Sequence, residues 1–227
     1  MSDASGFRQQ FAFPSEKLSH IVHHYQWLEI GNIILPGETL IYPSLGTGFN
    51  FSFWKDKPIY IKNTLFGEKK QTPCVLISPR INPATSSGII NAKGFRILFQ
   101  PGVLYAVYNI PMREFLDELV DPAYSMDAEL TDVYERMWEN QTFGACVEIF
   151  EDYLLHKLQR ILYQPPKLLT RIDEVLSLQG IENINVNNLA HHLSMSQRQL
   201  GRYMTSQSGL SPKEYLKSYR FTLALKH

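Results

Sequence analysis

Apolar residues along the chain change their period twice. Pro14 and Ser15 have the composition of a helix start, and Leu18, Ile21, Val22 and Tyr25 follow at three- and four-residue spacing, which predicts a short opening helix. From about Tyr25 to Phe99 the chain turns to short runs rich in aromatic and β-branched residues, divided by Gly, Pro and Asn. Strands are expected over 49–54, 58–61, 74–78, 88–91 and 95–99. Many short strands at regular spacing predict a barrel or sandwich. After Pro101 and Gly102 a helical period returns, with short helices over 103–108 and 112–119 and two longer ones over 127–140 and 142–163. The last places Phe143, Val147, Phe150, Leu154, Leu158 and Ile161 on one stripe, which needs a cover, either the sheet or a second subunit.

Gln164, Pro165 and Pro166 interrupt this helix, because proline lacks the backbone donor and restricts the residue before it. The break divides the chain into 1–164 and 165–227. Four short helical patterns follow, over 168–178, 186–193, 196–206 and from 211 onward. The middle two are joined by the tight segment Leu193-Ser194-Met195-Ser196, a helix-turn-helix outline. Asn185 is placed to cap the first, whose apolar face is Leu189, Ala190 and Leu193, with Ala190 small where the partner helix comes close. Ser196 caps the second, and Leu200 with Tyr203 or Met204 points to the core. Arg198 and Arg202 then fall one turn apart on the outer face. The fold class expected is α+β: an N-terminal barrel or sandwich with flanking helices, then a small all-α domain.

Hydrophobic residues at 44% and charged residues at 19% suit a globular chain rather than a disordered one. The net charge of zero hides an asymmetry. From Pro165 to His227 eight Lys and Arg face four acids, a net +4, which leaves −4 on the first 164 residues because the whole chain carries 22 of each sign. A phosphate backbone responds to that local excess. No apolar run approaches the roughly 18 residues of a membrane span, and Met1 to Gln10 lack a basic region and an apolar segment, so a cytoplasmic protein is expected. Cys74 and Cys146 have no Cys-x-x-Cys or Cys/His spacing and are expected as buried reduced thiols.

Two arginines just inside the start of a helix suit major-groove reading, since a guanidinium forks onto guanine O6 and N7; Gln197 and Gln199 add hydrogen-bonding capacity for bases or phosphates. Paired exposed charges are also common on ordinary solvated helices. The surrounding residues favour the first reading. The stretch Val186-Asn-Asn-Leu-Ala-His-His-Leu-Ser-Met-Ser-Gln-Arg-Gln-Leu-Gly-Arg-Tyr-Met, with Gly209-Leu-Ser-Pro-Lys-Glu-Tyr-Leu and Tyr219-Arg-Phe, closely resembles the first helix-turn-helix of the AraC/XylS family of bacterial regulators. The resemblance spans about 60 residues and rests on Leu189, Ala190, Ser196, Leu200, Gly209, Ser211, Pro212, Tyr215 and Arg220. It implies base contacts from Arg198, Gly201 and Arg202, and phosphate contacts from Ser211 to Lys213 at the next helix. Gly201 departs from it by offering no side chain to DNA, at a helix cost on the order of 1 kcal/mol. Met204 stands where the family commonly has Phe. Family members carry two such units joined by a long helix, and the sequence ends at His227 within that helix. One reading helix per chain implies affinity well below the nanomolar range unless a homodimer supplies two. The N-terminal part, through Phe95-Arg-Ile-Leu-Phe-Gln-Pro-Gly-Val and Asn109-Ile-Pro-Met-Arg-Glu-Phe, is similar to the sensor domain of a subgroup of these regulators, which implies a cupin-like barrel and helices that pair subunits.

A cupin-like barrel also hosts enzymes, but metal cupins use His-x-His with a further Glu and His on strands, and no such pattern occurs here. His20, His23 and His24 cluster on one turn of the expected opening helix and read as surface histidines. No Gly-x-Ser-x-Gly elbow or phosphate loop is present, and Leu45-Gly-Thr-Gly-Phe reads as a turn before a strand. An enzyme is therefore not expected, and neither a cofactor nor a metal. The expected partners are double-stranded DNA, a second copy of the chain and an unidentified small-molecule effector. Phe49, Phe51, Phe53, Trp54 and Tyr60 would line the effector's pocket, although aromatic-rich strands more often form core. The rival reading is an effector-binding or dimerising module without DNA binding.

Overall fold

The computed structural model describes residues 7–34, 39–54, 59–87, 89–180 and 184–225. The chain is α+β: nine strands in two antiparallel sheets among the described residues, then helices. Pro58 and Gly88, each the first residue of an expected strand, lie outside them.

The expected opening helix is not there. Strand β1 (Phe7–Ala12) precedes a single 3₁₀ turn over Glu16–Leu18, and Val22–Ile34 form β2, a strand of 13 residues. The helical spacing of Val22 and Tyr25 has another cause. A bulge between Val22 and His24 shifts the register by one, so that Val22, Tyr25 and Trp27 are all buried. His23 and His24 therefore sit on a strand, their Nδ1 atoms 2.6 Å apart, and His20 in the turn packs against Tyr163.

Further strands are β3 (Thr39–Ile41), β4 (Gly48–Phe53), β5 (Tyr60–Asn63), β6 (Gly67–Lys70), β7 (Cys74–Ile77), β8 (Ala84–Ser87) and β9 (Ile89–Phe99). The first sheet runs β1-β2-β9-β4-β7 and the second β3-β8-β5-β6. In the first, Tyr25 and Phe49 flank Ile97, and Trp27 and Phe51 flank Phe95. Gly48 is obligatory at the head of β4, since a Cβ there would lie 1.8 Å from the Ile97 carbonyl oxygen.

Helix α1 (Val103–Tyr108), a 3₁₀ turn over Met112–Phe115, α2 (Pro122–Ser125), α3 (Glu129–Glu139) and α4 (Phe143–Gln159) cover one face of this sheet. The expected helix over 112–119 is thus only a short turn, ended by Asp117, which is buried with a left-handed φ of 61°. Its carboxylate accepts from the backbone N–H groups of Ile81 and Asn82 and from Asn82 Nδ2, at 2.8–3.0 Å, fastening the turn to the loop before β8. The α4 stripe is covered by the chain's own sheet: Phe150 is fully buried against Phe49, Phe51 and Phe99, and Leu154 is equally enclosed. The other stripe residues, Phe143, Val147, Leu158 and Ile161, are half-buried against the same cluster. Phe49, Phe51 and Phe53 are core, not pocket lining, whereas Tyr60 is exposed. Cys74 and Cys146 are free and buried, and burial pushes the Cys146 thiol up to about 12.

After the proline pair come α5 (Lys167–Gln179), α6 (Val186–His192), α7 (Gln197–Ser208) and α8 (Pro212–Ala224), around a second hydrophobic cluster that includes Leu169, Leu189, Leu200, Met204 and Leu216. Leu45, Ile81 and Leu116 of the N-terminal part pack against that cluster. No helix among the described residues is long and apolar enough to cross a membrane.

A polar chain locks the helices of the first cluster. Tyr153 donates to Asp127 Oδ2 (2.6 Å), Lys157 Nζ does the same (2.6 Å), and Tyr108 meets Tyr153 hydroxyl to hydroxyl (2.9 Å). Burial raises the Asp127 carboxyl, but hydrogen bonds from Lys157, Tyr153 and the Glu129 N–H outweigh it and hold the group below its ordinary range. A carboxyl depressed on folding contributes stability above its unfolded pKa, and loses it as pH falls through the lower folded value. Asp127→Ala is expected to cost about 1–2 kcal/mol at neutral pH, because it leaves the half-buried Lys157 ammonium and the Tyr153 hydroxyl without their shared acceptor. Urea unfolding from pH 7 to pH 3 checks this: the deficit of the variant should shrink below about pH 4.

Candidate nucleic-acid interface

Each member of the expected helix-turn-helix begins with a cap set by local chemistry. Asn185 Oδ1 accepts from the Asn188 N–H (2.9 Å) at α6. The turn closes by Met195 N–H to the Ala190 carbonyl (2.9 Å), and Ser194 takes a left-handed φ of 56° there. Ser196 opens α7 with a reciprocal box: its hydroxyl accepts from the Gln199 N–H (3.2 Å), while Gln199 Oε1 accepts from the Ser196 N–H (2.9 Å). Gln199 is thus occupied at the cap rather than extended outward as expected, and Gln197 bonds Asn187 Oδ1 of α6 (3.2 Å). The spacing Ser196-x-x-Gln199 carried that signal in the sequence.

Leu200, Met204 and Ser208 point into the second cluster, which leaves Arg198 and Arg202 exposed and Gly201 half-buried on the outer side. The outer side is not uniformly open. Gln199, Gly201 and Arg202 border a cleft of about 830 Å³ whose far wall is Pro111 and Arg113 of the N-terminal part. Arg198 lies outside the cleft.

Ser211 and Lys213 stand at the start of α8, where a second reciprocal box joins Ser211 and Glu214: the Ser211 N–H donates to Glu214 Oε2 (2.7 Å). Arg113 Nη1 donates to the same carboxylate and to the Gly209 carbonyl, both at 3.2 Å. Burial raises the Glu214 carboxyl, but the Ser211 bonds and Arg113 outweigh it and hold it below its ordinary range. This helix start therefore carries a carboxylate beside Lys213, which is exposed. Arg113 was not legible as a partner, because nothing local links positions 113 and 214.

Behind α8, Tyr215 donates to Asp173 Oδ1 of α5 (2.7 Å), and Arg220 Nη2 to the Ile184 carbonyl (2.6 Å). Burial raises the Asp173 carboxyl, moderated by the Tyr215 hydroxyl. Among the described residues no three His, Cys, Asp or Glu side chains stand where they would hold a metal ion.

No protein-family model matches this chain, and no curated protein matches it. Among solved structures it is similar to the AraC-like transcriptional activator CuxR, over 95% of this chain and 86% of that one, at 11% identity and a TM-score of 0.38. It is similar to the hydroxypropylphosphonic acid epoxidase of S. wedmorenis over 41% of this chain and 51% of that one, at 8% identity and a TM-score of 0.31. PhpD, solved with cadmium atoms, aligns over 87% of this chain and 40% of that one, at 11% identity and a TM-score of 0.25. The matched part spans about half the length of the epoxidase. Likenesses this distant say nothing about function, which rests on the residues themselves.

A Cβ at Gly201 would meet open space. Gly201→Ala should therefore stabilise the protein by about 0.5–1 kcal/mol through helix propensity alone, read as a raised urea midpoint. Gly209 is the opposite case: its φ is 75° and a Cβ would lie 2.7 Å from the Met112 carbonyl oxygen, so Gly209→Ala should destabilise by more than about 1 kcal/mol in the same assay.

Proposed function

We propose that 165–227 form a DNA-binding domain, that α6 and α7 are its helix-turn-helix, and that the chain is a sequence-specific transcription regulator. The observation that carries this reading is the exposed pair Arg198 and Arg202, one turn apart on a helix entered through a tight turn and a reciprocal cap. Arg198 and Arg202 read bases, Ser196, Gln197 and Gln199 set the entry of the helix, and Ser211 and Lys213 approach the backbone. Gly201 lets the duplex come close. The net +4 of this segment supports phosphate contact. Residues 1–164 are the sensing or dimerising part, with two sheets in a cupin-like arrangement, and the protein works in the cytoplasm as a homodimer rather than as an enzyme. On α4 only the half-buried positions of the stripe, Phe143, Val147 and Leu158, remain for a dimer contact, since Phe150 and Leu154 are enclosed.

The second reading, a module without DNA binding, draws on the cleft. Pro111 and Arg113 wall part of the outer side of α7.

Selection of bound sequences from a random duplex library at low salt separates the two. An enriched motif for the intact chain is expected, with Arg198→Ala and Arg202→Ala each weakening binding about 5- to 150-fold, as loss of a bidentate base contact worth about 1–3 kcal/mol requires. Enrichment that survives the double variant, or none with the parent chain, overturns the regulator reading.

A further inference from the structure

A cavity of about 420 Å³ lies between the two hydrophobic clusters, within the size range of small-molecule pockets of roughly 300–1,000 Å³. Both parts of the chain build it. Leu98, Phe99 and Leu104 come from the sheet and α1, Leu169 and Leu223 from α5 and α8, and Leu210 from the turn between α7 and α8. The wall is mainly apolar with one acid, Asp173. Its Oδ1 accepts from the Tyr215 hydroxyl, which fixes the carboxylate at the cavity wall. Neither Lys nor Arg lines the cavity, and its remaining titratable lining groups are His23, His24, Tyr215 and Tyr219. His24 is held toward its neutral form by burial and by His23. The aromatic interior beneath α4 is by contrast filled by its own side chains.

We infer that this cavity between the sheet and the C-terminal helices is a binding site for a small apolar molecule carrying one ammonium group, with Asp173 as the counter-ion. An apolar wall with a single fixed carboxylate favours an amine and rejects a carboxylate of the same shape, because the latter would place like charges together away from bulk water. Ligand and protein part reversibly and no bond is made or broken. The site stands apart from the DNA-binding reading, since both its walls and its acid exist whether or not α7 meets a duplex.

Calorimetric titration of the full chain with phenylbutylamine, phenylbutanol and phenylbutyrate tests it. The amine should bind most tightly, the alcohol at least about tenfold more weakly and the acid not measurably. Asp173→Asn keeps the shape and the acceptor for Tyr215, and should bring the amine down to the level of the alcohol. Leu223→Trp should remove binding of both by filling the cavity. Circular dichroism and thermal unfolding identify any variant that fails to fold, and the ranking of the three probes by the parent chain stands independently of either variant. Phenylbutyrate binding as tightly as the amine, amine binding unchanged in folded Asp173→Asn, or no binding of the amine by the parent chain overturns the inference. None of these outcomes bears on the DNA selection, which is run without the amine.

Discussion

The arrangement depends on a close backbone approach at two glycines far apart in sequence. Gly102 at the start of α1 and Gly209 at the end of α7 both have left-handed φ, 79° and 75°. A Cβ on the first would fall 2.7 Å from Leu169 Cδ1, and one on the second 2.7 Å from the Met112 carbonyl oxygen. At each site the chain turns in a conformation that L side chains resist and packs against the opposite part in the space a side chain would fill. Leu45, Ile81 and Leu116 then close over the second cluster, and Arg113 fastens the rim through Glu214 and the Gly209 carbonyl. Asp117 sets the geometry upstream by holding the Ile81 and Asn82 backbone to the segment that carries Leu116 and Arg113.

What lies on either side of this seam differs in kind. On one side, Phe150 of α4 sits among Phe49, Phe51 and Phe99, an aromatic filling whose edge-to-face contacts need fixed ring orientations. On the other, a smaller aliphatic cluster is held by side-chain caps at the starts of α6, α7 and α8 and by Tyr215 to Asp173. Both reciprocal caps use a serine and a residue three positions on, so α7 and α8 owe their starts to side chains close in sequence.

That locality explains what could be read in advance. Helices α6 and α7 fall close to their expected places because Asn185 and Ser196 announce themselves beside apolar periodicity, and α1, α4 and α8 because of the periodicity itself. Strands β4 and β7 were legible from their aromatic and β-branched runs. The opening segment was not: a bulge in β2 gives a strand the spacing of a helix, and the pairing with β9 that decides the matter is remote in sequence. The short turn after Pro111 ends where Asp117 bonds residues 35 and 36 positions away. In the candidate interface Arg198 and Arg202 were legible as exposed, but the cleft wall and the Arg113 clasp belong to tertiary contacts with no local signature. The same holds for the cavity between the two hydrophobic clusters, whose lining residues stretch from His23 to Leu223.

Pro166 is buried and would touch a side chain at Gly102 with both its Cβ and its Cγ. The proline pair that looks like a flexible hyphen in the sequence is therefore a rivet in space. Two bodies joined by a loose tether exchange information by changing how often they meet. Two bodies packed together at their junction leave no room for such swinging there: the start of α1 lies directly against Pro166 and Leu169, where even one added methyl would collide.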